Sequence, residues 1–334
     1  MDGSFWAYQV VREDEGFQGR IVNLPLGGLP PGDVLIRVAC SSLNFKDALS
    51  ATGNPGVTRK YPHIPGVDVA GTVEACTAGP FKPGDKVFVT GFDLGMETDG
   101  GYAEYCRVPA GWVVPLPTGL TLQEAMTLGT AGFTAALGIR HMLHNGLTPD
   151  NGPVLVTGAA GGVGSVAVSI LAKLGFKVTA AGDPAQTDYL KEIGAVEVID
   201  REFLNTESPR AMLGEQWAGA YDTVGGKTLE NVIKSMRYMG VIANCGMVGG
   251  GALSTTVFPF ILRGVSLLGT DSVQCPMDIR LEVWNKLAGP WKPPQLERLV
   301  RTITLDDLGE AIQAILQGKI SGRTLVIPET RLKG

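Results

Sequence analysis

The sequence predicts an α/β protein in which β-rich segments flank a central, doubly wound parallel sheet. Three observations predict it. The first third carries short apolar runs punctuated by Pro and Gly, as in small barrel-like folds. From residue 153 to about 269, short apolar runs alternate with stretches of helical spacing, the mark of βαβ units around a parallel sheet. A chain of 334 residues also exceeds what one hydrophobic core usually holds, so two domains are expected.

The elements follow in chain order. Strands are expected at 33–39, 65–75, 81–90 and 102–108, the third fed by the turn Pro83-Gly84-Asp85. Residues 122–144 have helical spacing and no internal Pro. Strands are then expected at 154–157, 177–181, 197–199, 221–224 and 241–245, with helices at 163–174, 187–193 and 227–236. The tail predicts a helix at 308–317 and a strand at 323–327. The expected organisation is a β-rich domain at 1–123, a nucleotide-binding domain at 124–269 and a return to the first domain at 270–334.

Composition narrows the function classes. Apolar residues make up 44% and charged residues 18%, as in ordinary globular proteins. The net charge is −5 with no basic block, which argues against nucleic acid or an anionic membrane as partner. Five scattered cysteines without a Cys-x-x-Cys pair favour reduced thiols and a cytoplasmic setting. No signal-peptide pattern and no long apolar span is visible. The 46 glycines are not periodic and mark many tight turns.

The strongest local signal is Gly158-Ala159-Ala160-Gly161-Gly162-Val163-Gly164, after the run Val154–Thr157 and before a helical segment. One glycine permits the sharp turn, another lets the backbone approach a pyrophosphate, and the last packs helix on strand. The helix start offers free N–H groups to phosphates. Gly161, Gly162, Val163, Gly164 and Ser165 are therefore candidate dinucleotide contacts in a Rossmann domain. The next strand ends at Ala181-Gly182-Asp183, nineteen residues past Gly164. An acid there hydrogen-bonds an unphosphorylated ribose and favours NAD(H). Arg201 after the following strand points the other way, toward a 2′-phosphate, or is a solvated surface arginine.

With these residues in view, the whole chain resembles the medium-chain dehydrogenase/reductases of quinone oxidoreductase type, in the YhdH/YhfP/AcuI group that includes acryloyl-CoA reductases. The resemblance rests on Ser41-Ser42-Leu43-Asn44-Phe45-Lys46-Asp47-Ala48-Leu49, Ile64-Pro65-Gly66-Val67-Asp68-Val69-Ala70-Gly71-Thr72-Val73 and Gly129-Thr130-Ala131-Gly132-Phe133-Thr134-Ala135. The glycine loop, Pro259-Phe260-Ile261-Leu262-Arg263-Gly264-Val265, Asp271-Ser272-Val273 and Gly322-Arg323 extend it to the last strand. It implies a GroES-like catalytic domain built from both chain ends and a cofactor in the cleft beside the Rossmann domain. It implies NADP(H) as cofactor, although Asp183 departs from the group's Ser-Gly-Arg type triplet. By position, Phe45, Met247, Ile261 and Ser272 also line the cofactor; Thr130, at a helix junction, either touches the nicotinamide or the substrate or simply caps a helix.

The zinc dehydrogenases share this architecture, so metal ligands matter. A cysteine of those relatives stands where this chain has Asn44, and their Gly-His-Glu is here Gly66-Val67-Asp68. The region 91–108 holds Cys106 alone of the four cysteines a structural zinc needs. No metal is expected. His141 and His144, one helical turn apart, read more simply as a half-exposed helix face.

Without a Lewis acid an alkoxide lacks its stabiliser, so an activated acceptor is expected: an enoyl thioester such as acryloyl-CoA, an enone, or a quinone. Hydride adds to the β-carbon, charge appears on a carbonyl oxygen, and a proton source is needed. The candidates are Asn44 as donor to that oxygen, Lys46 and Asp47 as an ion pair or Lys46 as acid, Thr130, and Arg323 as anion partner or buried ion pair. Tyr61 is a weaker candidate acid, read more readily as a packing tyrosine. An NAD(P)H:quinone reductase is the alternative enzyme, and a low-turnover redox sensor the alternative of another class. Partners are a small-molecule substrate and a second copy, since 255–268 is apolar enough for edge-strand contacts or simply for core.

Overall fold

The structure, a computed structural model, describes residues 3–330. The chain opens with an antiparallel hairpin, β1 (Ser4–Glu13) and β2 (Gly16–Pro25). Nothing in the expected elements anticipated it, because no side chain of β2 is buried and its alternation is blurred. Then come β3 (Val34–Ser42), the short helix α1 (Phe45–Ala51), β4 (Asp68–Cys76), β5 (Lys86–Thr90), β6 (Tyr105–Val108) and β7 (Val114–Pro115). The strands expected at 65–75 and 81–90 begin later than the apolar pattern does, at Asp68 and Lys86, after the Pro65-Gly66 and Pro83-Gly84 turns.

Helix α2 (Leu122–His144) is not continuous. It breaks at Gly129, whose backbone (φ 53°, ψ −157°) is not helical. A Cβ there would lie 2.5 Å from the Asp68 carboxylate. Glycine is thus required by both dihedral and space.

The alternating region follows: β8 (Val154–Val156), α3 (Gly162–Lys173), β9 (Val178–Gly182), α4 (Thr187–Glu192), β10 (Glu197–Asp200), β11 (Trp217–Asp222), α5 (Gly226–Lys234), β12 (Met236–Asn244), α6 (Phe258–Arg263), β13 (Ser266–Gly269) and α7 (Met277–Ala288). Its six strands pair in the order β10-β9-β8-β11-β12-β13, every pair parallel. The order reverses between β8 and β11, and in open α/β sheets ligands bind outside the carboxyl ends of the strands at such a point. β8 and β11 are completely buried, as the apolar runs require. The apolar stretch 255–268 does not form one long edge strand: half of it is α6, and only Ser266–Gly269 pairs, at the sheet's margin.

The tail adds β14 (Val300–Thr304), α8 (Leu308–Leu316) and β15 (Arg323–Ile327). β15 pairs with β3, so a seven-stranded sheet combines both chain ends: β14-β15-β3-β4-β5-β7, with β6 on β3. One core of this β-rich part joins Phe5, Val10, Leu43 and Ile64 to Leu305, Leu308 and Val326.

The chain divides into two compact units. The β-rich unit holds the described residues up to Thr130, Val273–Met277 and those from Val300 onward; the parallel-sheet unit holds Ala131–Ser272 and Asp278–Leu299. The expected return at 270 differs from this division. Most of α7 packs within the parallel-sheet unit, where Trp284 stacks on Phe133 at 5.9 Å and Glu282 takes a bidentate hydrogen bond from Arg140.

Candidate active site

In the β-rich unit, Asn44 caps α1 in extended conformation, and the Asp47 carboxylate returns to the Asn44 backbone N–H at 2.8 Å. This capping box fixes the helix entry. Asp47 is fully buried and also accepts from the Val67 N–H (2.8 Å) and the Tyr102 hydroxyl (2.9 Å). Asp68, the first residue of β4, is fully buried as well. It accepts from the Ser42 hydroxyl (2.5 Å), the Asn44 amide (2.8 Å), the Thr130 N–H (2.9 Å) and the Thr130 hydroxyl (2.6 Å).

Arg323 closes the cluster. It is 2% exposed, and all three of its nitrogens are engaged. Nε donates to the Thr127 carbonyl, Nη1 to the Leu43 carbonyl and the Asn44 side-chain oxygen, and Nη2 to Ser42 Oγ, 3.9 Å from Asp68 Oδ2. Two carboxylates thus share one guanidinium. Burial and then the Asp68 charge push the Asp47 carboxyl up to about 6, against the pull of its three hydrogen bonds. Burial and the adjacent Asp47 raise Tyr102 well above the ordinary phenol range.

This geometry changes several expectations. Arg323 is a buried structural cation, the second of the two roles considered for it. The Asn44 amide and the Thr130 hydroxyl both point to Asp68, so neither is free to donate outward. Lys46 and Asp47 do not pair: Asp47 is turned inward, and Lys46 stands half-exposed with no hydrogen-bond or ion-pair partner among the described residues. Phe45 is exposed (39%). Tyr61 packs on Phe17 at 4.6 Å and donates to the Ser50 carbonyl, a packing role. Asp68 entered the sequence reading only at a lost zinc-ligand position, Ser42 and Gly129 only within family motifs and Tyr102 only in an expected strand, so none of the four was a site candidate. Their one signal was a lone carboxylate, Asp68, in an otherwise small and apolar run.

In the parallel-sheet unit, Gly158 (φ 57°) turns the chain out of β8, and Gly161 precedes α3, which starts at Gly162. A Cβ on Gly164 would lie 2.2 Å from the Gly158 carbonyl oxygen, so only glycine lets the helix sit this close to the loop. Val163 is half-buried and Ser165 buried in the first turn. The Ala159 N–H donates to the Ala181 carbonyl at 3.2 Å, tying the loop to the end of β9. A closely approached backbone and a helix start with free N–H groups fit a dinucleotide's pyrophosphate. Past Gly182, the Asp183 carboxylate accepts from the Ala185 N–H at 2.9 Å. Gly182 pairs with Asp200, so Asp183 and Arg201 leave the same edge of adjacent strands. Arg201 is exposed, 3.7 Å from Glu202. Met247 and Ile261 are exposed, whereas Ser272 is buried against the Thr134 hydroxyl and the Arg280 guanidinium. Among the described residues no group of three or more His, Cys, Asp or Glu side chains is placed to hold a metal.

Comparison with known proteins agrees with this layout. Residues 30–118 match the alcohol dehydrogenase GroES-like domain, and residues 162–288 match the family described as zinc-binding dehydrogenase. Together they define the class, an oxidoreductase of alcohol-dehydrogenase architecture. YhfP of Bacillus subtilis, assigned as a quinone oxidoreductase, is 46% identical over 98% of this chain and 99% of its own. Its crystal structure with NAD superposes with a TM-score of 0.94 over 97% of this chain and 99% of its own. The acrylyl-CoA reductase AcuI of Ruegeria pomeroyi is 46% identical over 92% of this chain and 94% of its own. The yhdH oxidoreductase of Salmonella enterica, solved with NADP, is 43% identical with a TM-score of 0.94 over 96% and 99% of the two chains. The chain belongs to the medium-chain dehydrogenase/reductase family, in the quinone oxidoreductase group that holds YhfP, YhdH and AcuI.

Proposed function

We propose that this enzyme transfers hydride from NAD(P)H to the β-carbon of an activated alkene, an enoyl thioester of the acryloyl-CoA kind, without a metal. One observation carries the reading. The Asp68 carboxylate already receives four hydrogen bonds and the Asn44 amide is turned into it, so the groups standing at the zinc-ligand positions have no capacity left for a cation. A carbonyl that needs a Lewis acid is a poor substrate here, and a conjugated alkene is a good one. The acrylyl-CoA reductase among the relatives supports the same substrate class.

When bound on the glycine loop, the reduced nicotinamide supplies the hydride. The chain's own residues bind and protonate. Gly161, Gly162, Val163, Gly164 and Ser165 would hold the pyrophosphate, with Met247, Ile261 and Ser272 as further cofactor contacts of the parallel-sheet unit, and Phe45 would pack against the nicotinamide. Asn44 and Thr130 are held rigid by Asp68. Lys46, half-exposed and without an ion-pair partner among the described residues, would neutralise the developing enolate oxygen and give its ammonium proton to the α-carbon, leaving an amine that solvent reprotonates. Lys46→Met is expected to lower kcat at least tenfold with little change in cofactor affinity.

Steady-state oxidation of NADPH and NADH with acryloyl-CoA, crotonyl-CoA and 1,4-benzoquinone tests the reading. Turnover with quinone alone would leave a quinone reductase. Tight cofactor binding without any turnover would leave a redox sensor. Asp183 supports NADH and the Arg201 position supports NADPH. We propose that Asp183, whose carboxylate has no ion-pair partner among the described residues and accepts only from the Ala185 N–H there, sets a preference for NADH, and that Asp183→Arg shifts the kcat/KM ratio toward NADPH at least tenfold. A wild type that already prefers NADPH would sink this assignment. No described helix is long and apolar enough to cross a membrane, and the same reading makes the protein a cytosolic homodimer, testable by light scattering.

A further inference from the structure

Asp222 is the last residue of β11 and is fully buried. No charged side chain pairs with it among the described residues; neutral donors hold it instead. Thr157 donates its hydroxyl to Oδ1 at 2.6 Å. The Gly225 N–H (2.8 Å) and the Asn244 side-chain amide (2.7 Å) both donate to Oδ2. The three donors sit on three different chain segments: the end of β8, the turn after β11 and the end of β12. Each leads into a loop at the carboxyl edge of the sheet.

Those loops are packed backbone to backbone. The Thr223 N–H donates to Thr157 Oγ1 at 3.1 Å, and the Thr223 hydroxyl donates to the Thr157 carbonyl at 2.9 Å. A Cβ on Gly158 would lie 2.3 Å from Thr223 Oγ1, and one on Gly246 would lie 1.9 Å from the Thr223 carbonyl oxygen. The Gly249 N–H donates to the Val224 carbonyl at 2.7 Å. A chain of hydrogen bonds therefore runs from the Thr223 N–H through the Thr157 hydroxyl to the carboxylate, immediately before the turn at Gly158.

We infer that Asp222 is a positioning residue for the dinucleotide loop. It fixes Thr157, and through it Gly158 to Gly164, relative to the loops after β11 and β12. The inference rests on the reading of that loop as the cofactor site. A carboxylate suits this role because it only accepts hydrogen bonds and has room for several donors. An amide at 222 would turn an N–H toward one of the three donors and leave that donor unsatisfied in a buried site. The residue touches no reacting atom; it acts by setting where the loop's N–H groups point.

The test measures dissociation constants for NADPH and NADH by fluorescence titration, together with melting temperatures. The variants are Asp222→Asn, Thr157→Val, Thr157→Ser and Thr179→Val. Thr157→Val keeps the side chain's shape and removes its hydroxyl, and with it both the bond to Asp222 and the bond from the Thr223 N–H, which keeps the test open should Asp222→Asn fail to fold. Thr179→Val deletes an equally buried hydroxyl of β9 that is bonded to Glu197 at 3.0 Å and makes no hydrogen bond to the glycine loop or to Asp222. The expected result is at least tenfold weaker binding for Asp222→Asn and Thr157→Val, recovery to within about threefold of wild type for Thr157→Ser, and wild-type binding for Thr179→Val despite a comparable loss in melting temperature. Thr157→Val binding within twofold of wild type would overturn the inference. So would Thr179→Val losing binding as severely, since the loss would then be general destabilisation. A wild type that binds neither dinucleotide would overturn the cofactor reading itself, and the inference with it.

Discussion

Asp68 opens a strand of the β-rich unit, and Asp222 closes a strand of the parallel-sheet unit. Both are fully buried, and both gather loops through hydrogen bonds. Their surroundings differ. Asp68 shares its cavity with a second carboxylate, Asp47, and with the guanidinium of Arg323. Asp222 has a hydroxyl, an amide and a backbone N–H instead. The difference shows two ways to keep a carboxylate out of water. At the carboxyl edge of a parallel sheet, neutral donors from neighbouring strand ends suffice. In the β-rich unit two acids have been brought together to cap a helix and to hold Thr130, and a cation becomes necessary.

The first way to break this comparison is to remove the cation. Arg323→Leu leaves two buried carboxylates without compensation and is expected to cost roughly 3–5 kcal/mol of stability, as for a broken buried ion pair; urea unfolding at neutral pH measures it. A loss under 1 kcal/mol would mean that the guanidinium is incidental. The corresponding cost is absent at Asp222, which has no cationic partner among the described residues.

A smaller effect separates the sites by pH. The Asp47 carboxyl is raised to about 6 in the folded state by burial and by Asp68, above its unfolded value of about 3.9. The folded form therefore binds the extra proton, so this group's contribution is fully present below pH ~4 and is lost as pH rises through about 6. The stability of wild type relative to Asp47→Asn should fall by roughly 2–3 kcal/mol between pH 4 and pH 7.5, measured by urea melts at both ends. A flat difference would show that Asp47 does not titrate in this window.

The smallest effect sharpens the other side. Asn244→Ala removes one of the three donors to Asp222, at a half-buried position where water can enter. The expected loss is about 1.5–2 kcal/mol, the low end for one hydrogen bond to a charged group, because water can take the amide's place. A loss as large as that of Arg323→Leu would erase the distinction between the two carboxylates.

Much of this molecule was legible in its sequence. The alternation from 153 to 269 gave the parallel sheet, and the glycine loop gave the strand, turn and helix on which a pyrophosphate fits. Both signals are local: a hydrophobic period and a glycine spacing follow from backbone geometry within a few residues. The quinone-oxidoreductase resemblance likewise rested on contiguous motifs. What stayed hidden was relational. The hairpin β1–β2 was missed because β2 buries no side chain, and the break in α2 because Gly129 reads as an ordinary helical glycine until Asp68 is placed beside it.

The tertiary structure alone decided which way the candidate side chains face. Asn44, Asp47, Thr130 and Arg323 were singled out as candidates for the chemistry, yet their polar groups are satisfied by Asp68, Ser42 and one another, across separations of up to 279 residues between Arg323 and Asn44. Hydrogen-bond partners at that distance leave no periodicity in the chain. A buried polar group must be paired wherever its partner lies, and only the folded chain says where that is. The sequence determined what the protein is built from and what class of chemistry it carries. The fold determined that Phe45 is exposed and Lys46 half-exposed while Asn44 and Asp47 turn inward, and that a single aspartate at the end of β11 ties three loops together.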